Sequence, residues 1–233
     1  MSVQIEKWDF FELVLNGPET GNPFLDVTLE ADFTQGDHRV QISGFYDGEG
    51  VYKLRFMPEL EGEWSFTTKS NVPDLDGVRG SLICTPAKAG NHGPVRVANH
   101  FHFAYADGSP YIPVGTTCYV WNLQGDVLEE KTLGTLDDAP FNKMRMCVFP
   151  KRYTFNSNEP PTYPFEAKFS GTLQSTWSPE MVAAYFKQEP PDYWNLDRFN
   201  PEYFQHLEKR ILDLRARGIE ADLILFHPYD YGT

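Results

Sequence analysis

The chain has 233 residues, 41% hydrophobic and 15% aromatic, which suffices for a real core in one large domain or two small ones and excludes wholesale disorder. Its formal net charge is −13. A field of that sign repels phosphate backbones and anionic lipid surfaces, so nucleic acid and membranes are disfavoured as partners. Three cysteines, Cys84, Cys118 and Cys147, are odd in number and widely spaced, which is not a disulfide framework and fits a reducing compartment. The opening "MSVQIEKWDFFEL" has no apolar run behind a basic patch, and no apolar stretch approaches the roughly 18 residues of a spanning helix. A cytoplasmic protein is expected.

Residues 1–86 are dense in strand signals: "FFELVLNG", "LDVTLEADFTQ", "RVQISGFYDGEGVYKLRFMPELEGEWSFTTKS" and "GVRGSLICTPA". In "VYKLRF", Val51, Lys53 and Arg55 share one face while Tyr52, Leu54 and Phe56 share the other. Gly36-Asp37, Asp47-Gly48-Glu49-Gly50 and Glu61-Gly62 supply turns between the runs. Short strands at this spacing, with no helical stretch among them, predict an antiparallel β-sandwich.

Residues 87–110 read as a linker and a hairpin around Asp107-Gly108. From residue 111 the pattern changes. "YIPVGTTCYV", "FNKMRMCVFP" and "IEADLILFHP" are apolar without alternation, as strands covered on both faces are. Between the first two, "DVLEEKTLGTLDDA" can be helical. Before the third, "NPEYFQHLEKRILDLRARG" is the clearest helix: Asn200 is a good N-cap, Pro201 a good first residue, and Phe204, Leu207, Ile211 and Leu214 form the apolar stripe. Asp213 and Arg217 can pair at i,i+4, and Gly218 ends the helix. Strand–helix–strand–helix–strand predicts βαβ units and a parallel sheet. An aromatic-rich insertion at 151–199, containing a short helix over "SPEMVAAYFKQ" capped by Ser178, interrupts the scheme.

In a parallel α/β sheet, ligands bind at the carboxyl ends of the strands. The first strand delivers Tyr119, Trp121 and Asn122 there, the second Phe149, Pro150, Lys151, Arg152 and Tyr153, and the third His227, Tyr229 and Asp230. Rings beside hydrogen-bonding and charged groups suit a sugar, whose C–H faces stack on aromatics and whose hydroxyls need directional partners. Tyr119, Trp121, Lys151, Tyr153, His227 and Asp230 are therefore the candidate substrate-binding residues. Trp121 can equally be a packing residue at the end of the sheet, His227 a strand cap, and Lys151-Arg152 a solvated pair. His100 and His102 share a strand face, but no acidic or cysteine partner stands at a metal-site spacing, so neither metal nor other cofactor is expected. No Walker loop, GxGxxG, HExxH or GxSxG is present.

"NPFLDVTLEADF", "GFYDGEGVYKLRFMPELEGEWSFTTKS" and "NHGPVRVANHFHFAYADGSPYIPVGTTCYVW" resemble the N-terminal part of a group of bacterial glycoside hydrolases. In that group an immunoglobulin-like domain of unassigned function precedes an apiosidase-like or cellulase-like (β/α)8 TIM barrel of the large retaining clan. "PFNKMRMCVFPKRY" and "LILFHPYDYG" resemble its second and third barrel strands. The resemblance implies a multidomain β plus α/β chain, an N-terminal antiparallel β-sandwich followed by the first part of a (β/α)8 barrel over 111–233. It implies a glycosidase acting on an oligosaccharide, polysaccharide or other glycoside. The acid/base glutamate would follow strand four, in an Asn-Glu pair, and the nucleophile glutamate would end strand seven, both beyond residue 233. Asn158-Glu159 stands at no suitable strand end. His227 would match a strand-three histidine beside the reactive sugar. The competing expectation is a non-catalytic carbohydrate-binding protein, using exposed Trp8 or Trp64 of the sandwich.

Overall fold

The computed structural model describes residues 3–151, 156, 158–168 and 194–226. They divide into two compact units, Met1–Ile112 and Pro113–Thr233.

The first unit is a β-sandwich. Its larger sheet holds β1 (Val3–Glu6), β3 (Leu29–Gln35), β4 (His38–Ser43), β7 (Gly62–Ser70) and β8 (Arg79–Thr85) in the order β1-β8-β7-β3-β4. Its smaller sheet holds β2 (Phe11–Asn16), β5 (Phe45–Gly48) and β6 (Val51–Phe56) in the order β2-β6-β5. The alternation read in "VYKLRF" is the burial pattern of β6: Tyr52, Leu54 and Phe56 are buried, Val51, Lys53 and Arg55 only partly so. These inward residues meet Ala31, Phe33, Trp64, Phe66 and Leu82 of the larger sheet in one core. Phe33 stacks on Phe56 at 4.1 Å between ring centroids, and Phe11 lies 5.6 Å from Phe66. Rings from opposite sheets interdigitate, which makes the two layers a sandwich.

The sandwich is not wholly antiparallel. β1 runs parallel to β8, with Val3 opposite Leu82 and Glu6 opposite Thr85. No tight turn joins these two strands, so nothing local sets their relative direction; the other pairs of the sandwich are antiparallel. A short helical turn, α1 (Pro23–Asp26), precedes β3. Past β8 the chain forms an antiparallel hairpin of β9 (Val95–Ala98) and β10 (His102–Tyr105). Its turn lies at Asn99-His100, both with positive φ, so His100 is a turn residue and does not share a strand face with His102. A second tight turn follows at Asp107-Gly108, where the Tyr105 amide donates to the Ser109 carbonyl.

The second unit is built on a three-stranded sheet, β11 (Gly115–Thr117), β12 (Lys143–Cys147) and β15 (Glu220–Ile224), in the order β11-β12-β15. Both pairings are parallel, with Gly115 opposite Lys143 and Lys143 opposite Glu220. Two helices cover it, α2 (Asp126–Asp137) and α3 (Pro201–Arg215). The Asn200 side chain accepts the Glu202 amide at 3.2 Å, and Pro201 opens α3. Leu133 and Leu136 of α2, Met144 and Met146 of β12, and Leu207 and Leu214 of α3 form the core with Trp121. Between β12 and α3 an antiparallel pair intervenes, β13 (Phe165–Ala167) with β14 (Trp194–Phe199).

The expected (β/α)8 barrel is overturned by this arrangement. Among the described residues the α-helices are three, one of them the single turn α1, and the remainder is small β-sheets. A barrel requires every strand to be followed by a helix and paired on both sides. Here an antiparallel strand pair lies between β12 and α3, and β11 and β15 each pair with β12 alone among the described residues. "YIPVGTTCYV" supplies only three strand residues before the chain turns into a 3-10 segment at Trp121–Leu123. The fold is β-rich. The short helix read over residues 178–188 lies outside the described residues.

Candidate functional site

A buried ion pair anchors the second unit. Arg210 of α3 and Glu129 of α2 are both fully buried, and the Arg210 Nε donates to Glu129 Oε2 at 2.6 Å. Arg210 also donates to Glu130 and Asp213, at 2.6 and 3.0 Å, and to Asp126 at 3.1 Å. These hydrogen bonds hold the guanidinium above its ordinary pKa against the burial that opposes its charge. His206 Nε2 lies 2.9 Å from Glu129 Oε2 without hydrogen-bond alignment.

The other oxygen of Glu129 accepts the backbone amides of Gln124 and Gly125, at 3.1 and 3.0 Å. It satisfies donors that the start of α2 would otherwise leave orphaned. Gln124 is thereby fixed, and its side chain reaches outward. Its Nε2 donates to Asn156 Oδ1 at 3.1 Å, and its Oε1 accepts from Asn158 at 2.8 Å. Asn156 in turn donates to the Lys151 carbonyl at 3.1 Å. Lys151, Asn156 and Asn158 are thus tied to a buried ion pair through one glutamine.

These residues lie on one wall of a cavity of about 250 Å³. Asn156, Asn158, Glu159 and Lys151 bring polar groups to it, while Tyr163, Phe165, Phe149 and Trp194 bring rings. Tyr163 and Trp194 lie 4.7 Å apart at 36°. The Tyr163 hydroxyl donates to Glu159 Oε2 at 2.6 Å. Lys151 stands at the carboxyl end of β12, where a parallel sheet presents its ligand-facing residues. Aromatic faces beside amides, a carboxylate and an ammonium meet both requirements of a sugar, stacking and directional hydrogen bonding.

Of the residues expected at the site, Lys151 lines this cavity. Tyr119 is half-buried and packs with Val120, Leu123 and Tyr203. Trp121 is 4% exposed, sits in the core, and donates its indole N–H to the Met146 sulfur at 3.2 Å. Asn122 is fully buried, and neither atom of its amide bonds to a described protein atom. Tyr153, His227 and Asp230 lie outside the described residues, as do Arg152 and Tyr229. Tyr163, Phe165 and Trp194 belong to the aromatic stretch noticed in the sequence. Asn156 and Gln124 carried no signal there, because their role depends on which segments meet. Among the described residues, no group of three His, Cys, Asp or Glu side chains could hold a metal ion.

The tryptophans of the sandwich offer little surface to a glycan. Trp64 is 2% exposed and donates to the Leu60 carbonyl at 2.9 Å. Trp8 is half-buried, with Lys7 Nζ 4.6 Å from its ring centroid. A Cβ at Gly93, whose φ is +74°, would meet the Trp8 ring at 2.5 Å, so glycine alone permits this contact.

Residues 4–71 match the family described as Domain of unknown function (DUF5060). The crystal structure of a protein from Bacteroides vulgatus ATCC 8482, provisionally assigned as a glycoside hydrolase, superposes with a TM-score of 0.86 at 44% identity. The match covers 99% of this chain and 43% of that protein, so the chain spans less than half of that relative's length. The Lin-41 filamin domain gives a TM-score of 0.28 at 14% identity, over 35% of this chain and 82% of that domain, too slight a likeness to carry an argument. No curated protein matches the chain.

Proposed function

We propose that this protein serves glycoside hydrolysis and binds carbohydrate in the cavity between Lys151, Glu159, Tyr163 and Trp194. The observation that carries the reading is the 44% identity to the Bacteroides vulgatus protein along nearly the whole chain. The composition of the cavity supports it independently. Tyr163 and Trp194 supply stacking faces, Lys151 supplies donors, and Glu159 supplies acceptors for hydroxyls. Tyr119, Trp121, Tyr153, His227 and Asp230 remain part of the proposal as candidate substrate-binding residues.

Retaining hydrolysis uses two carboxyl groups about 5–5.5 Å apart, flanking the scissile bond. Glu159 is the only carboxylate among the described residues that line the cavity. We therefore place at least one member of a catalytic pair outside the described residues. That same observation favours a second reading, carbohydrate binding without turnover.

One experiment addresses both. The chain is titrated calorimetrically with mono- and disaccharides and with their methyl glycosides, and release of reducing ends is followed in parallel. Binding that weakens about tenfold in Trp194→Ala, as loss of an aromatic stacking face predicts, supports the site. Binding unaffected by Trp194→Ala and Glu159→Gln, or absent altogether, overturns it. Reducing ends released by the parent chain would eliminate the non-catalytic reading.

A further inference from the structure

The amides on the polar wall of the cavity have a fixed hydrogen-bond polarity, and Gln124 sets it. Two backbone carbonyls, which can only accept, decide every amide orientation between them. The Val120 carbonyl accepts from Gln124 Nε2 at 3.0 Å, and the Lys151 carbonyl accepts from Asn156 Nδ2 at 3.1 Å. Asn156 therefore turns its Oδ1 to Gln124, where it accepts from the same Nε2 at 3.1 Å. Both Nε2 hydrogens are then used, so Gln124 has Oε1 to offer Asn158, and Asn158 must answer with a donor. Its Nδ2 lies 2.8 Å away.

The consequence falls on Asn158. An asparagine amide carries a donor at one corner and an acceptor at the other, and an untethered one turns over to suit its partner. Here turning over would set Oδ1 against Gln124 Oε1, two acceptors in hydrogen-bond contact with no hydrogen between them. Asn158 therefore brings Oδ1 to the cavity it lines as a committed acceptor. Glu159, the next residue, brings its carboxylate to the same cavity. Gln124 acts from behind this wall, with its backbone amide held at 3.1 Å by the fully buried Glu129.

We propose that Gln124 is a positioning residue that sets specificity. By locking Asn158 as an acceptor beside Glu159, it makes the cavity select sugar rings with unsubstituted, donating hydroxyls over O-methylated, O-acetylated or deoxygenated ones. This rests on the carbohydrate reading of the cavity. Two consecutive acceptors demand two donors. An ether or ester oxygen in either place would face an acceptor after both had lost their water, and a missing hydroxyl would leave the protein oxygen unpaired.

The test titrates the full chain with the methyl glycosides of glucose, galactose, xylose and arabinose. For whichever binds, its monodeoxy and monodeoxyfluoro analogues at each ring hydroxyl follow. Fluorine fills the place of a hydroxyl and accepts weakly but donates nothing. At the hydroxyls facing Asn158 and Glu159, fluorine is expected to weaken binding as much as deoxygenation does, about three- to tenfold at each. Gln124→Met keeps the side-chain length without the amide. In it the fluorine penalty at one of the two positions is expected to fall below about twofold, because the freed Asn158 amide can turn its Nδ2 to the ligand. Asn158→Ala, at an exposed position, should remove the same penalty and leave the other. A merely structural role for Gln124 would weaken all ligands alike and leave these ratios unchanged. The Asn158 side-chain amide resonances report the lock without any ligand: they are expected to stand apart from those of free asparagine in the parent chain and to move to them in Gln124→Met. Fluorine tolerated at every position, ratios unchanged by Gln124→Met, or Asn158 resonances unmoved by it overturns this inference alone. A parent chain that binds none of the four methyl glycosides overturns the carbohydrate reading, and the specificity inferred from it falls as well.

Discussion

Replacing Arg210 by methionine tests whether the buried ion pair holds the second unit together. The side chain touches four carboxylates, but they do not contribute equally. Asp126 and Glu130 are 81% and 60% exposed, so each contributes at most about 1 kcal/mol. Glu129 is fully buried, and removing its cation leaves an uncompensated charge, with His206 Nε2 2.9 Å from the oxygen that Arg210 held. Breaking a buried pair from one side costs about 3–5 kcal/mol, against total stabilities of roughly 5–15 kcal/mol. Glu129→Gln should cost less, about 1–3 kcal/mol, because a glutamine oxygen can still accept the Gln124 and Gly125 amides and Arg210 keeps its other partners. The double variant Glu129→Gln/Arg210→Met should be more stable than the sum of the two losses predicts, by about 1 kcal/mol or more, since it carries no buried charge. Urea unfolding followed by hydrogen exchange of peptides from α2 and α3 separates this unit from the sandwich. An Arg210→Met loss under about 1 kcal/mol, with the two substitutions additive, would refute the reasoning and put the pair among ordinary surface contacts.

Two further outcomes follow from the fold. Trp121→Ala is expected to cost about 3–5 kcal/mol by opening the core, read as a large fall in the melting temperature; unchanged melting with weakened sugar binding would show that the indole serves the site directly. Asp32 donates nothing and accepts from Arg39, at 3.0 and 2.7 Å, and Lys69 Nζ lies 2.7 Å away, which together bring its carboxyl down from 3.8 to about 2. A lowered folded-state pKa means that this contribution is fully present above the unfolded value near 4 and is lost as pH falls through about 2. An Asp32 carboxyl resonance that titrates near 4 in the folded protein would contradict it, and Asp32→Asn should flatten the acid limb of stability between those pH values.

The aromatic positions at 163, 165 and 194 were visible in the sequence as part of a ring-rich stretch, yet nothing in one dimension says that Tyr163 would meet Trp194 or that Phe149 would lie parallel to Phe165. Arg210 shows the limit more sharply. It stands three residues after Leu207 and four before Leu214, on the buried face of α3, where an apolar stripe is read by skipping charges. Its burial is tolerable only because Glu129 lies opposite, and that depends on how α2 meets α3. Helix starts fared better: Asn200 and Pro201 act through their own backbone neighbours, so their roles need no distant partner.

The sequence by itself determined what is local: the two-residue alternation of β6, the turns at Gly36 and Gly50, and the caps and apolar faces of α3. These follow from backbone geometry and from side chains within a few positions of one another. Only the tertiary structure decided that β1 joins β8 in parallel, that β12 gives way to an antiparallel pair and not to a repeating strand–helix unit, and that Gln124 meets Asn156 and Asn158. Each of those outcomes depends on contacts between residues tens of positions apart, whose free energy is settled by packing and charge compensation that no short stretch of chain contains.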